Sequence, residues 1–176
     1  MNRSEMNKFI RSLNADEASQ VLKLLLDEYP DFLKKTYDCA VKVTATVDAD
    51  DIAGDVFRSL DNLDYDDLNG RAGRTRHGYV APDQAAWDLF EEALNPFIAE
   101  MVKNHKRALP AVAKTCCIGI IKGLQMYGKG SCSDLSDWLQ DAPGEYIDTV
   151  IDEWKKGNPS NDDIADVMNV AKGDGS

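Results

Sequence analysis

The side chains of this chain that could carry binding chemistry are basic and fall into two short groups. The first group lies in the glycine-bearing stretch GRAGRTRHGYVAP, residues 70–82, and comprises Arg71, Arg74, Arg76 and His77. Guanidinium groups pair well with phosphate and carboxylate oxygens, and the backbone amides at a helix N-terminus also favour anions. Because Pro82 is typical of the first position of a helix, this loop could hold an anionic group ahead of that helix.

The second basic group lies in the segment KNHKR, where Lys106 and Arg107 follow His105. Both groups are local exceptions in a chain of 176 residues with a formal net charge of -11. A field this negative repels nucleic acid at long range, so duplex binding would require the two basic groups to converge on one face. The six candidate anion- or partner-binding residues are therefore Arg71, Arg74, Arg76, His77, Lys106 and Arg107.

An intramolecular interpretation of the loop competes with the binding interpretation. Tyr79 and Val80 could pack beside the helix that begins at Pro82, and the arginines could pair with four acidic residues just upstream. Those acidic residues are Asp61, Asp64, Asp66 and Asp67. In this interpretation the aromatic side chain anchors the loop, because exposed ion pairs contribute little by themselves.

The chain offers no recognisable catalytic or metal-binding pattern. Its four cysteines form neither a CxxC pair nor a disulfide-type spacing, and only two histidines could join them at a metal. Adjacent Cys116 and Cys117 are expected to be small buried thiols. No nucleophile, base and orienting group can be assigned, so we expect no cofactor and no metal, and an enzyme is the less favoured class.

Apolar residues recur at helical spacing almost throughout, which predicts an all-α fold. Leu22, Leu25 and Tyr29 define one face of a helix from about 16 to 29, with Asn14 as its N-cap, and a second helix covers about 31 to 44. Asp48 caps a third helix. A long loop is expected at about 62–81, with one helical turn near 65–68.

Prolines organise the second half of the chain. Pro82 starts a strong helix that Pro96 should kink or divide, and Pro110 opens a segment that is apolar on nearly every side and therefore central. Gly119 and Gly123 lie four residues apart there, which would let a neighbouring helix approach closely. Three further helices follow, near 133–139, 143–156 and 161–171. The total predicts eight or nine helices in an antiparallel bundle or a short stack of helical hairpins.

Length and composition are typical of a single helical domain over residues 1–172, followed by a flexible tail at 173–176. The N-terminus has no apolar signal region, and no stretch approaches the roughly 20 apolar residues of a membrane span. We therefore expect a cytoplasmic protein without a membrane partner.

The region from Val56 to Met101 resembles a helical segment of uncharacterised prokaryotic proteins, some of which also carry a SWIM-type zinc finger. The matching features are the SLDNLD linker, the GRTRHGYV loop and the helix WDLFEEALNPF. The CxC and CxH zinc ligands of that finger are absent from this chain. The resemblance implies a helical module and assigns it neither zinc nor a catalytic residue.

These observations favour a non-catalytic protein-interaction module that binds another protein through a helical face. The alternative is an accessory protein that contacts nucleic acid or another anionic partner through residues 71–76 and 103–107. The sequence does not specify an oligomeric state.

Overall fold

The computed structural model describes residues 2–44, 47–75 and 78–173. The predicted all-α fold is confirmed, because these residues are 78% helical and form nine α-helices with almost no strand. None of the helices in these ranges is long and apolar enough to cross a membrane. The chain divides by its internal contacts into two compact units, Met1–Thr44 and Ala45–Ser176. The single domain expected over 1–172 stays a prediction.

The N-terminal unit consists of three helices, α1 (Arg3–Ser12), α2 (Ala15–Glu28) and α3 (Phe32–Thr44). The predicted N-cap Asn14 is confirmed, since its side chain accepts a hydrogen bond from the backbone N–H of Glu17 while Glu17 accepts one from that of Asn14. The same reciprocal pattern joins Asn2 and Glu5 at the start of α1. Such capping boxes fix where a helix begins. Helix α1 was absent from the sequence prediction, although the pair Asn2 and Glu5 was its signal.

The C-terminal unit contains the remaining elements. In chain order these are α4 (Ala49–Asp61), α5 (Tyr65–Arg71), β1 (Gly73–Thr75), β2 (Gly78–Val80), α6 (Pro82–Lys106), α7 (Pro110–Gly130), a short 3-10 helix (Ser136–Trp138), α8 (Ala142–Lys155) and α9 (Asn161–Ala171). The predicted N-cap Asp48 accepts a hydrogen bond from the backbone N–H of Asp50. The predicted helix starts at Pro82 and Pro110 are also confirmed.

Helix α7 is the centre of this unit, as its apolar composition predicted. It packs against α4, α6, α8 and α9 and buries ten of its own residues. Its closest approach is to α4 and depends on two glycines. A Cβ atom added at Gly119 would lie 2.8 Å from the carbonyl oxygen of Ala49, and one at Gly123 would lie 2.8 Å from that of Ala53. The close packing predicted for these two glycines is therefore confirmed.

Helix α6 continues through Pro96, so of the two predicted outcomes division is excluded and a kink stays a prediction. Proline removes a backbone donor and crowds the preceding turn. Pro96 is exposed, which leaves that turn open to water, and the Ser59 hydroxyl of α4 donates a 3.3 Å hydrogen bond to the carbonyl of Ala93. Leu94 and Met101, on either side of Pro96, are fully buried. We infer that packing on both sides of the proline keeps the helix continuous.

The long loop expected at 62–81 is instead mostly regular structure, made of α5 and the β1–β2 hairpin. Asp64 caps α5 by accepting hydrogen bonds from the backbone of Asp66 and Asp67. Asp61 reaches across to the chain after α7, where it accepts hydrogen bonds from the Ser131 hydroxyl and the Cys132 backbone, both at 2.8 Å. The Asp61 contacts hold the start of the segment against the chain that follows α7.

The two lysines that interrupt the apolar sequence of α7 each pair with a neighbouring helix. Lys122 lies 2.7 Å from Asp50 of α4, while Lys114 lies 2.6 Å from Asp163 and 2.7 Å from Asp166 of α9. These pairs raise the pKa of Lys114, chiefly through its hydrogen bond to Asp163, and the same hydrogen bond lowers the pKa of Asp163. Each lysine thereby joins the central helix to an outer one.

Replacing Lys114 with methionine is expected to lower the melting temperature at neutral pH by roughly 1–4 °C, because partly exposed ion pairs are weak. The lowered pKa of Asp163 stabilises the folded state above its ordinary value of 3.8, and this contribution is lost as pH falls through the folded pKa. The raised pKa of Lys114 stabilises the folded state below its ordinary value of 10.5, and this contribution is lost as pH rises through the folded pKa. Melting curves of both proteins should therefore differ most between about pH 4 and pH 10 and converge outside that window. A constant difference down to pH 2 would contradict the ion-pair explanation.

Candidate interaction site

The basic loop forms a short antiparallel hairpin between α5 and α6. Arg74 in β1 lies opposite Tyr79 in β2, and Gly73 and Gly78 adopt the positive φ angles of 101° and 134° that glycine tolerates. Arg74 forms no ion pair with any described residue. The predicted site residues Arg76 and His77 lie outside the described residues.

The intramolecular interpretation of the loop was wrong about the partner of Arg71. Arg71 forms its ion pair with Glu92 of α6 and not with the acidic residues upstream. Asp61 and Asp64, both at the start of the segment, accept hydrogen bonds from the backbone of Cys132 and of Asp67 respectively. Tyr79 does not anchor the hairpin either, because it is 72% exposed.

The second basic group lies at the opposite end of α6. Lys106 is the last residue of the helix, Arg107 is its C-cap, and both side chains are exposed. The 25 residues of α6 extend about 37 Å at 1.5 Å per residue, and the hairpin precedes the other end. The structure therefore keeps Arg74 far from Lys106 and Arg107, and the convergence that duplex binding would require is not seen among the described residues.

An acidic groove with an aromatic floor lies between α6 and α8. The rings of Trp87 and Tyr146 stack with their centroids 6.0 Å apart, and the cavity beside them measures about 360 Å³. Four carboxylates line it, and none forms an ion pair within the described part of the chain; they are Asp83, Asp88, Glu91 and Glu145. Aromatic faces and carboxylates together suit an ammonium or guanidinium group. The sequence analysis missed this groove, because Trp87 and Tyr146 are 59 residues apart and meet only through helix packing.

The groove alters the chemistry of Tyr146. Burial raises the pKa of Tyr146 to about 12, and the negative charge of Glu91 and its hydrogen bond to the phenol add to this effect. Replacing Glu91 with glutamine is expected to lower that pKa part of the way towards the ordinary 10.0, since burial, the largest cause, remains. The ¹³C NMR signal of the Tyr146 ring should begin to shift at lower pH in this variant.

Glu92 provides the matched control for this measurement. It is adjacent in sequence but pairs with Arg71, so Glu92→Gln should leave the Tyr146 titration in place. Equal shifts in both variants would show that general surface charge, and not the carboxylate of Glu91, perturbs the phenol.

The buried thiols predicted at Cys116 and Cys117 are confirmed. Both cysteines are free, and burial raises the pKa of Cys117 to about 12, with the neighbouring Cys116 adding to the effect. Burial likewise raises the pKa of Cys116. Because the thiolate is the reactive form, these groups suit packing and not nucleophilic chemistry. No cluster of three potential metal ligands occurs in residues 2–44, 47–75 and 78–173.

The N-terminal unit presents the largest set of exposed apolar side chains. None of the described side chains of residues 2–43 is buried. On α1 and α2 the apolar residues recur three and four positions apart, so they share one side of each helix. Twelve large apolar side chains of this unit are exposed, and we define the N-terminal apolar surface by eight of them, namely Met6, Phe9, Ile10, Val21, Leu22, Leu25, Phe32 and Leu33.

Comparison with known proteins gives no assignment. No family model matches the chain, and no curated protein or solved structure does so either. The resemblance of residues 56–101 to prokaryotic helical proteins stays a prediction.

Sequence reasoning located an amphipathic face on α2, and the structure leaves its Leu22 and Leu25 exposed. The spacing of Leu22 and Leu25 identifies the face of a helix without showing what covers it. The sequence gives one further signal, which is the contrast between these helices and the nearly uniformly apolar α7. A chain with one fully apolar helix can complete its core around that helix and leave other amphipathic faces uncovered.

Proposed function

We propose that this protein is an interaction module that binds a protein partner through the N-terminal apolar surface. The observation that supports this proposal is the exposure of that surface, with Phe9 and Leu33 each 62% exposed. Burial of a large apolar side chain contributes about 1.5–3 kcal/mol, and exposed apolar patches are typical of protein-binding surfaces. A partner would gain binding energy from each apolar helix face that it covers.

The size of the N-terminal unit supports the same proposal. It comprises 44 residues and has no buried side chain among those described, whereas domains below about 40–60 residues generally need a metal, disulfides or association to be stable. The two capping boxes define the ends of α1 and α2 but contribute only about 1 kcal/mol each. We infer that association supplies the missing burial.

The anionic-partner alternative receives less support from the geometry. Arg71 is already paired with Glu92, and the hairpin and the pair Lys106 and Arg107 lie at opposite ends of α6. A basic surface that binds a duplex normally presents its lysines and arginines together.

Site-specific photo-crosslinking in cells tests the proposal. A benzophenone amino acid is placed at Phe9 on the apolar surface or, as the matched control, at Ser4 on the opposite side of α1. We expect protein adducts from position 9 and few from position 4, and we expect Leu25→Glu to abolish them. Position 9 yielding no more adduct than position 4 would refute the proposal.

A further inference from the structure

The N-terminal unit combines its apolar surface with an even charge balance. Residues 1–45 contain seven basic and seven acidic side chains, so the whole net charge of -11 resides in residues 46–176. Two N-terminal units therefore approach each other without net repulsion, whereas residues 46–176 of two copies repel each other. Within the unit, α1 carries three basic residues against one acidic, and α2 carries four acidic against one basic.

Two charged residues border the apolar surface at unfavourable ends of their own helices. Arg3 lies at the N-terminus of α1, three residues before Met6 and thus on the same side of the helix. Glu28 lies at the C-terminus of α2, three residues after Leu25 and on its side. A cation at an N-terminus and an anion at a C-terminus both oppose the helix dipole. Neither residue forms an ion pair with a described residue.

An antiparallel pairing of α1 with an α2 from another molecule removes both conflicts. The N-terminus of one helix then lies beside the C-terminus of the other, which brings Arg3 next to Glu28 while the apolar faces meet. In a two-fold dimer this contact forms twice, as the symmetry of an isologous interface requires.

The C-terminal unit offers no comparable apolar surface in its described residues. Its exposed large apolar side chains are distributed over five separate segments, with a single such residue on each: Val47, Tyr65, Tyr79, Met126 and Trp138. A surface of eight apolar residues needs an apolar complement, and within the described chain only the N-terminal unit itself provides one.

We propose that the chain forms a two-fold homodimer in which the N-terminal apolar surfaces of two copies cover each other, with α1 of each protomer antiparallel to α2 of its partner. This inference rests on the proposed function and names a second copy of the chain as the partner.

Sedimentation of the purified full-length protein provides the first test. We expect a species of twice the 19.5 kDa chain mass at micromolar concentration. Leu25→Glu should weaken dimerisation by about 100-fold or more, because it places a charge in the apolar interface. Gln20→Glu, which adds the same charge on the side of α2 that faces away from Leu22 and Leu25, should leave the dimer intact. A wild-type chain that sediments as a monomer throughout, or equal weakening by both variants, overturns the proposal.

Charge reversal tests the antiparallel arrangement and does not depend on the apolar variant folding. Arg3→Glu and Glu28→Arg each suit the dipole of their own helix, but each creates like-charge contacts across the dimer and should weaken it by about tenfold. An equimolar mixture of the two variants places opposite charges at both contacts, so heterodimers should form with wild-type affinity. Failure of the mixture to recover that affinity overturns the arrangement.

The two proposals fail in distinguishable ways. Adducts from position 9 that contain a different protein, together with a monomeric wild-type chain, would overturn the homodimer and retain the interaction function. A monomeric chain that yields no adducts from position 9 would overturn both.

Discussion

Replacing Gly123 with alanine is expected to destabilise the protein by about 2–4 kcal/mol, although alanine is intrinsically the better helix former by about 1 kcal/mol. The added Cβ would lie 2.6 Å from the Cβ of Val56 and 2.8 Å from the carbonyl oxygen of Ala53. Neither atom belongs to the flexible end of a side chain, so α4 and α7 would have to separate. Chemical denaturation of the two proteins measures this change directly.

Gly128 is the matched control, because it lies on the same helix with only ordinary contacts, 3.6 Å from Pro143. Gly128→Ala should be neutral or slightly stabilising through helix propensity. The double variant that combines Gly119→Ala and Gly123→Ala should lose less stability than the sum of the losses in the two single variants. One separation of α4 from α7 accommodates both methyl groups. A Gly123→Ala protein as stable as the Gly128→Ala protein would contradict the close packing of α4 against α7.

Replacing Trp154 with alanine is expected to cost about 3–5 kcal/mol, among the largest effects of any single truncation in this chain. Trp154 is 1% exposed and is the largest fully buried side chain in the described residues. Its indole nitrogen Nε1 is also buried and has no hydrogen-bond partner among those residues. Denaturant titration monitored by circular dichroism measures the loss without relying on the tryptophan signal.

Two further tryptophan variants separate volume from polarity. Trp154→Phe should cost much less than Trp154→Ala, about 1–2 kcal/mol, because it retains most of the volume and removes an unpaired donor that is costly to bury. Trp138→Ala makes the same truncation at a residue that is 42% exposed, and its expected cost is below about 1 kcal/mol. Similar losses at both tryptophans would show that α8 is not packed into the core as described.

The predictable parts of the fold follow from short-range rules. Asn14 and Asp48 were identified as N-caps because a side-chain oxygen satisfies free backbone donors within two or three residues. The starts at Pro82 and Pro110 follow from a fixed φ angle, which requires no knowledge of distant residues. The same rules left open whether Pro96 kinks or divides its helix, and the structure keeps α6 continuous, with Leu94 and Met101 buried on either side of the proline.

The candidate sites depended on long-range packing and were therefore less predictable. Arg71 has several acidic neighbours in sequence, yet it pairs with Glu92, because α5 packs alongside α6. The aromatic groove joins Trp87 to Tyr146 across two helices, and no periodicity indicates such a meeting. Spacing alone could not decide whether the apolar face of α2 is covered or exposed.

The sequence by itself determined that this protein is helical, where most of its helices begin, that α7 is central and that Gly119 and Gly123 allow a close crossing. Each of these follows from periodicity, capping chemistry or side-chain size, which act within a few residues. Only the tertiary structure decided the partner of Arg71, the continuity of α6, the groove beside Trp87 and the exposure of the N-terminal apolar surface. These features depend on which helix faces pack against each other. That packing is determined by the burial of apolar surface over the whole chain and not by any local stretch of it.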